Sequence, residues 1–256
     1  MTIRNWMLGA TALLIATTFA AGSASAAVYG TFMDPAGTVA YENVADTNGL
    51  FGAPTVSLNS IDFTPVSYSA QCSQCPGGVT TTDTLTMEIQ ASAGQQISEI
   101  AINEGLDFTL QSFDPAGFAG LTVTANVFID VLEINQASVN NINASVPITF
   151  TPTNNGSRTV FGFGIDTGII TGSGLIDLQT VIQNAGGSGE ATRVAISFDN
   201  TLQVFHNGTG GQAELRKRDA DFVSLTINGG NPIPEPGTAL LLMGGLAALS
   251  NWKRER

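Results

Sequence analysis

Strict alternation of apolar and polar side chains recurs along the middle of this chain. Within residues 84–90, Leu85, Met87 and Ile89 share one face, and residues 121–127 repeat the pattern. Alternation with a period of two predicts β-strands that have one buried face and one solvent-facing side. The predicted strands are Thr55–Leu58, Ser60–Phe63, Thr82–Ala91, Gln96–Gly105, Leu106–Ser112, Leu121–Ile134, Val146–Thr151, Leu175–Gln183, Thr192–Asp199, Thr201–His206 and Asp221–Ile227.

Gly, Asn and Asp turn signals separate these strands, so the pattern predicts an all-β body, an antiparallel β-sandwich or jelly roll. No segment of the body has a convincing three-turn helical pattern, although Leu175–Asn184 is ambiguous between strand and helix. Residues 34–54 are punctuated by Gly and Pro, and we expect them to wrap across the sandwich ahead of the first core strand.

The first 26 residues have the three parts of a secretory signal peptide. Arg4 supplies the positive charge, residues 6–21 are largely apolar, and Ala24-Ser25-Ala26 is an A-x-A cleavage site. The pattern predicts an apolar helix, export by the Sec machinery and cleavage by signal peptidase after Ala26.

The opposite end combines a proline hinge, an apolar run and a basic terminus. Pro232, Pro234 and Pro236 resist both helix and sheet, because proline fixes φ and lacks an N–H group. The apolar core, residues 239–249, is 11 residues long, whereas a helix needs about 20 residues to cross a bilayer. We expect a short hydrophobic helix that engages the inner membrane transiently, with residues 253–256 on the cytoplasmic side.

The motif Pro234-Glu235-Pro236, followed by this apolar run and the basic terminus, resembles the PEP-CTERM sorting signal of exopolysaccharide-producing Gram-negative bacteria. The resemblance implies recognition by an exosortase, a membrane enzyme that cuts near the Pro-Glu-Pro motif. The chain then divides into a signal peptide (1–26), a β-sandwich body (27–230) and a sorting tail (231–256).

Parts of the body also look like a group of PEP-CTERM body domains that have no assigned activity. The segments that carry this likeness are 34–54, 60–65, 104–107 and 198–202. The likeness implies no reaction and no catalytic residue.

The charge balance argues against nucleic acid as a partner. The full chain has a formal net charge of −12, and the only cations of the body are Arg158, Arg193, Arg216, Lys217 and Arg218. Nucleic-acid binding requires a cationic surface. We interpret the run from Arg216 to Arg218 as a solvated strand edge that discourages edge-to-edge pairing; binding of an anionic polysaccharide is the alternative.

The two cysteines, Cys72 and Cys75, are three positions apart in the body. In an exported chain this spacing favours a small-loop disulfide that fixes a turn. A thioredoxin-type motif would need a βαβ setting, and a zinc site would need two more ligands in a chain whose only histidine is His206.

Candidates for catalysis and for metal binding are weak. His206 ends a strand before the turn dipeptide Asn207-Gly208, so we interpret it as an exposed strand-end residue. A glycosidase needs only two carboxylates, and the candidates are Glu88, Glu99, Glu104, Asp107, Glu133 and Asp177. The body has no tryptophan for stacking on sugars. Loop-like Ca²⁺ ligands are Asp34, Asp46, Asn48, Asp114, Asp199, Asn200, Asp219 and Asp221.

We therefore expect a non-enzymatic exported protein of the cell surface, outer membrane or extracellular matrix, with a structural or interaction role and no required cofactor. The alternative is a module that binds polysaccharide or Ca²⁺ within the exopolysaccharide matrix. A hydrolase acting on matrix polymer is the third hypothesis.

Overall fold

A computed structural model describes residues 25–65, 67–218 and 223–229, and in these ranges it contains 14 strands and one helix. The elements are β1 (Ala27–Met33), β2 (Val39–Asp46), β3 (Pro54–Ser57), β4 (Ser60–Phe63), β5 (Ser69–Cys72), β6 (Cys75–Ala91), β7 (Ile97–Ile134), β8 (Ala137–Ser138), β9 (Asn143–Pro147), β10 (Thr149–Thr151), β11 (Ser157–Asp177), α1 (Leu178–Asn184), β12 (Ala191–Asn207), β13 (Gly211–Lys217) and β14 (Val223–Gly229). The all-β body is confirmed.

The longest strands cover more of the chain than the alternation predicted. Three predicted strands are parts of the 38-residue β7, and two others are parts of β12. The expectation that residues 34–54 only wrap across the sandwich is wrong for residues 39–46, which form β2 and pair with both β1 and β6. Val39, Tyr41 and Val44 of this strand are buried.

The ambiguous segment 175–184 divides into two elements. Residues 175–177 finish β11, and α1 begins at Leu178. The carboxylate of Asp177 accepts a hydrogen bond from Thr180 N (3.2 Å), the N-cap interaction that satisfies one of the free N–H groups of a first turn. Leu178 and Ile182 of the helix are buried against the sheet.

A corner in the paired strands β7 and β11 divides the sheet into two layers. Phe161 pairs with Phe118 and Phe163 with Phe113, so residues 114–117 and Gly162 form the bend. Gly162 has a φ of +64°, a conformation that glycine adopts without steric cost. Arg158 and Asp166, eight residues apart on β11, form an ion pair across the inside of the bend.

The first layer contains β1, β2, β6, β12, the second half of β7, and β9. In β12, Arg193 lies opposite Glu133 and Asn207 lies opposite Phe118, so β12 and the second half of β7 run in opposite directions. The second layer contains the first half of β7 with β11 on one side and β13 and β14 on the other. β5 extends it beyond β13, and β4 and β3 extend it beyond β14.

Alternate side chains of both layers meet in one core. The inward row of β12 contains Val194, Ile196, Phe198, Leu202 and Val204, all buried. The inward row of the first half of β7 contains Ile100, Ile102, Leu106, Phe108 and Leu110. Burying such a row stabilises the fold by about 25 cal/mol per Å² of apolar surface. Polar residues also occupy positions in these two rows.

Candidate functional site

The sorting motif and most of the signal peptide lie outside the described residues. Pro234, Glu235 and Pro236 belong to this group, as does Ala24. Ala26 is described and exposed, directly before β1 begins at Ala27. The one helix of the described ranges, α1, does not have the length and apolar character needed to span a membrane. The expected hydrophobic helices at the two ends lie outside those ranges.

The two cysteines form the expected disulfide. Cys72 ends β5 and Cys75 begins β6, with 5.8 Å between their Cα atoms. Gln74, between them, has a φ of +56°, and its backbone N donates a hydrogen bond of 3.1 Å to His206 Nδ1. The disulfide loop therefore covers the histidine.

The interpretation of His206 as an exposed strand-end residue is wrong. The side chain occupies the inward row of β12 and is fully buried. Its Nδ1 accepts the hydrogen bond from Gln74, whereas Nε2 has no partner in the described part of the chain. Ser112 Oγ is likewise buried without a partner there. The alternation of β12 continues through His206, which is why a turn dipeptide after it was a misleading signal.

The loop carboxylates considered as Ca²⁺ ligands act as acceptors for the protein's own N–H and O–H groups. Asp46 accepts from the backbone N of Gly49 (2.8 Å) and Phe51 (3.0 Å) and from the hydroxyl of Tyr29 (3.1 Å). Asp83, which lies in β6 and was not one of those candidates, accepts hydrogen bonds from the backbone N of residues 48 and 50 in the same loop. These two buried carboxylates hold the loop between β2 and β3.

Three further candidates have similar roles, but only Asp34 lies in a loop. Asp114 lies in β7 and Asp199 in β12, so the prediction of a loop at Asp199 and Asn200 is wrong. Asp34 accepts hydrogen bonds from the backbone N of residues 36 and 38, and Asp114 accepts one from the backbone N of residue 209. Asp199 accepts a hydrogen bond from the hydroxyl of Thr84. Residues 219 and 221 lie outside the described residues. Within 25–65, 67–218 and 223–229, no group of three or more His, Cys, Asp or Glu side chains is arranged to hold a metal ion.

Arg193 brings together three carboxylates on the outer face of the first layer. Its guanidinium contacts Glu88 at 2.5 Å, Glu42 at 3.3 Å and Glu133 at 3.7 Å. Hydrogen bonding to Glu88 is the main reason that the pKa of Arg193 is raised. Two of the glycosidase candidates, Glu88 and Glu133, thus share one cation with Glu42. A third, Asp177, is the N-cap of α1.

An open groove of about 630 Å³ lies on this outer face, next to Arg193. Two rows of side chains form its floor, and each row takes one residue from each of four neighbouring strands. The first row consists of Thr86, Ser197, Phe128 and Ser145. The second row consists of Glu88, Ala195, Asp130 and Asn143. The small side chains of β12 make the floor concave, and Phe128 is 44% exposed beside them.

A second exposed feature is an apolar ridge on the outside of the β7–β11 corner. It is formed by Phe113, Phe161, Phe163 and Ile165, which are 49% to 74% exposed. Contiguous apolar surface of this kind is typical of interaction sites.

The interpretation of residues 216–218 as a solvated edge is wrong. β13 pairs with β5 on one side and with β7 on the other, so it is not an edge strand. Arg216 and Arg218 contact Asp107 at 3.8 and 3.7 Å, but the side chain of Lys217 is fully buried. Lys217 continues the inward row of Ala213 and Leu215, so the alternation places it in the core.

Lys217 forms a buried polar cluster with Glu104 and Asn200, which we call the Lys–Glu–Asn cluster. Glu104 Oε2 accepts hydrogen bonds from Lys217 Nζ and from Asn200 Nδ2, the latter at 2.7 Å. The hydroxyl of Tyr68 donates to the backbone carbonyl of Asn200 at 2.6 Å. Glu104 Oε1 and Asn200 Oδ1 are buried and have no partner in the described part of the chain.

Aromatic rings surround the amine of this cluster. Lys217 Nζ lies 5.3 Å from the ring centre of Tyr68, 5.7 Å from that of Phe51 and 5.9 Å from that of Phe198. Burial lowers the pKa of Lys217, and the attraction of Glu104 opposes that shift. Burial also raises the pKa of Tyr68.

The alternation of the sequence carries a signal for this cluster. Glu104, Asn200 and Lys217 each stand at an inward position of an alternating strand, where an apolar residue is expected. Charged residues are almost never fully buried unless they are paired. Three polar interruptions of apolar rows therefore indicate mutual contact, although only the fold shows which strands meet.

Comparisons with known proteins give no relative that identifies the chain. No family model matches it, and no curated protein matches it. Among solved structures, the chain is similar to a mutant VP2 protein of infectious bursal disease virus in derived T=1 particles, at 13% identity and a TM-score of 0.14. The match covers 72% of this chain and 45% of that protein, and a likeness this weak carries no argument.

Proposed function

We propose that the protein is an exported structural or interaction protein of the cell surface or the exopolysaccharide matrix, delivered there through its C-terminal tail. The observation that carries the proposal is the order of Pro234-Glu235-Pro236, apolar run and basic terminus, in a chain whose residues 1–26 have the pattern of a secretory signal peptide. An exosortase is the processing enzyme, and the Sec machinery and signal peptidase act on the leader.

Three features of the body support an extracytoplasmic location and an interaction role. Its disulfide is of the kind that persists in oxidising compartments. Buried carboxylates fix the loop between β2 and β3, and the apolar ridge offers a surface for a partner in the matrix.

A matched pair of tail variants tests the sorting proposal. Replacing Pro234 and Pro236 with alanine removes the motif, whereas Pro232→Ala changes the same hinge outside it. We expect the double variant to accumulate in the inner-membrane fraction. The Pro232→Ala variant should instead be found outside the inner membrane, as measured by fractionation and immunoblotting. Equal distribution of the two variants would contradict the proposal.

Polysaccharide binding is a second candidate, favoured by the groove beside Phe128. An exposed aromatic ring next to carboxylate and amide side chains offers a stacking surface and hydrogen-bond partners to a sugar. Phe128→Ala should weaken binding to purified exopolysaccharide in affinity electrophoresis, whereas Phe113→Ala, on the apolar ridge, should not. No retardation of the unaltered protein would remove this candidate.

A further inference from the structure

We propose that the Lys–Glu–Asn cluster is an autocatalytic cross-linking site, where Lys217 Nζ and Asn200 Cγ join in an intramolecular isopeptide bond and Glu104 transfers the protons. This inference is independent of the proposed route of sorting. It rests on the positions, contacts and burial of the three side chains.

The three residues come from three different strands that meet in the core. Glu104 lies on β7 and Lys217 at the end of β13, both in the second layer. Asn200 lies on β12, in the facing first layer. A bond between Lys217 and Asn200 would therefore tie the two layers of the sandwich together.

One carboxylate oxygen holds both reacting side chains. Glu104 Oε2 accepts from Lys217 Nζ and from Asn200 Nδ2, so the nucleophile and the leaving group are neighbours. The hydrogen bond from Tyr68 to the backbone carbonyl of residue 200 fixes the strand at that point. Holding reactants in one geometry converts a slow bimolecular step into an intramolecular one.

The surroundings favour a nucleophilic amine. The side chains of Lys217 and Glu104 have no exposed surface, and three aromatic rings enclose Nζ. Desolvation lowers the pKa of the lysine ammonium, because burial disfavours the charged form. A desolvated lysine in an apolar pocket is an activated nucleophile.

The step balances without any further reactant. The Lys217 ammonium passes one proton to Glu104, and the neutral Nζ attacks Asn200 Cγ. Glu104 hands that proton to Nδ2 as the Cγ–Nδ2 bond breaks, and it takes a second proton from Nζ as the amide forms. The products are a secondary amide, one molecule of ammonia and a protonated Glu104, and nothing is oxidised or reduced.

The proposal also accounts for two buried acceptors that lack partners. Glu104 Oε1 and Asn200 Oδ1 have none in the described part of the chain. In the product, a protonated Glu104 carboxyl can donate to the oxygen of the new amide, which is the former Oδ1. Buried polar groups without partners are rare in folded proteins.

Peptide mapping of the purified, folded, full-length chain tests the proposal. Cleavage after glutamate cuts at Glu190, Glu214 and Glu235, so Asn200 and Lys217 fall in separate peptides, 191–214 and 215–235. We expect one joined species whose mass is the sum of the two peptides less about 17 Da, the mass of one ammonia. Two free peptides from folded protein would overturn the proposal.

The joined peptides also separate this reaction from a succinimide at Asn200, which loses the same mass but joins nothing. Finding peptide 191–214 alone with that loss would therefore overturn the proposal too. Glu104→Gln keeps the shape of the side chain and removes the carboxylate, so we expect the joined species to fall at least tenfold. Glu133→Gln, on the same strand but beside Arg193, is the matched control and should leave it unchanged.

Discussion

Buried carboxylates organise the loops of this body one residue at a time. Asp46 accepts hydrogen bonds from Tyr29, Gly49 and Phe51, and Asp34 accepts three from residues 36 and 38. Hydrogen bonds to ionised acceptors are stronger than those between neutral groups. The acidic composition therefore has a structural use inside the fold as well as on its surface.

Removal of the Asp46 carboxylate should lower the free energy of unfolding. Asp46→Ala leaves the buried N–H of Phe51 without its acceptor, and each such group costs about 1–3 kcal/mol. We expect a loss of at least about 2 kcal/mol in the free energy of unfolding measured with urea. Asp130→Ala, at an exposed position, should change the free energy of unfolding little. Equal losses for the two substitutions would contradict the role of Asp46 as a buried hydrogen-bond acceptor.

Asp34 should make stability depend on acid pH. Burial opposes its ionisation, but hydrogen bonds from Thr38 and Ala36 outweigh burial and hold its pKa below the usual range. The ionised form is thus favoured in the folded state, so its contribution is present above the unfolded pKa of about 3.9 and is lost as pH falls through the folded pKa.

The substitution Asp34→Asn tests the direction of this pH dependence. The variant should be less stable than the unaltered protein in urea unfolding at pH 7, and the difference should shrink as the pH is lowered below 4. A difference that stays constant or grows in acid would show that ionisation of Asp34 does not stabilise the fold.

At the scale of elements, alternation located the core strands but not the whole sheet. Residues 84–90 and 121–127 were identified because their apolar faces are regular. β11 was missed except for its last residues, because Gly and Thr interrupt its apolar positions and its outward face carries Phe161 and Phe163. Alternation identifies a strand when its apolar side chains occupy the buried face. A strand whose large apolar residues face outward therefore gives no clear pattern.

The corner between the layers depends on Gly162. Its φ of +64° is unfavourable for residues with a Cβ by roughly 1–2 kcal/mol, although a Cβ there would meet nothing closer than 3.7 Å. Gly162→Ala should therefore lower the free energy of unfolding by about 1 kcal/mol through strain alone. Gly77→Ala is the control, because φ is not positive there and the space is open. Equal losses in the free energy of unfolding for the two substitutions would contradict the idea that backbone strain at residue 162 causes the loss.

At the scale of the whole molecule, export stays a prediction from composition and from the patterns of residues 1–26 and 231–256. The contacts within the core required the fold. The disulfide between Cys72 and Cys75 could be predicted from spacing and context. The burial of His206 and Lys217 was missed, because each was interpreted from its neighbours in the chain, although its place in an alternating row indicates an inward position. The Lys–Glu–Asn cluster joins residues up to 113 positions apart, and contacts at that separation follow from topology.

The most direct test of the account is the mature form of the native protein in cells with and without a working exosortase. Intact mass and fractionation should find a species that starts at Ala27 and ends near Pro236, outside the inner membrane only when the enzyme is present. A species that keeps residues 253–256 and stays in the inner membrane of both strains would contradict the account and make the tail a plain anchor.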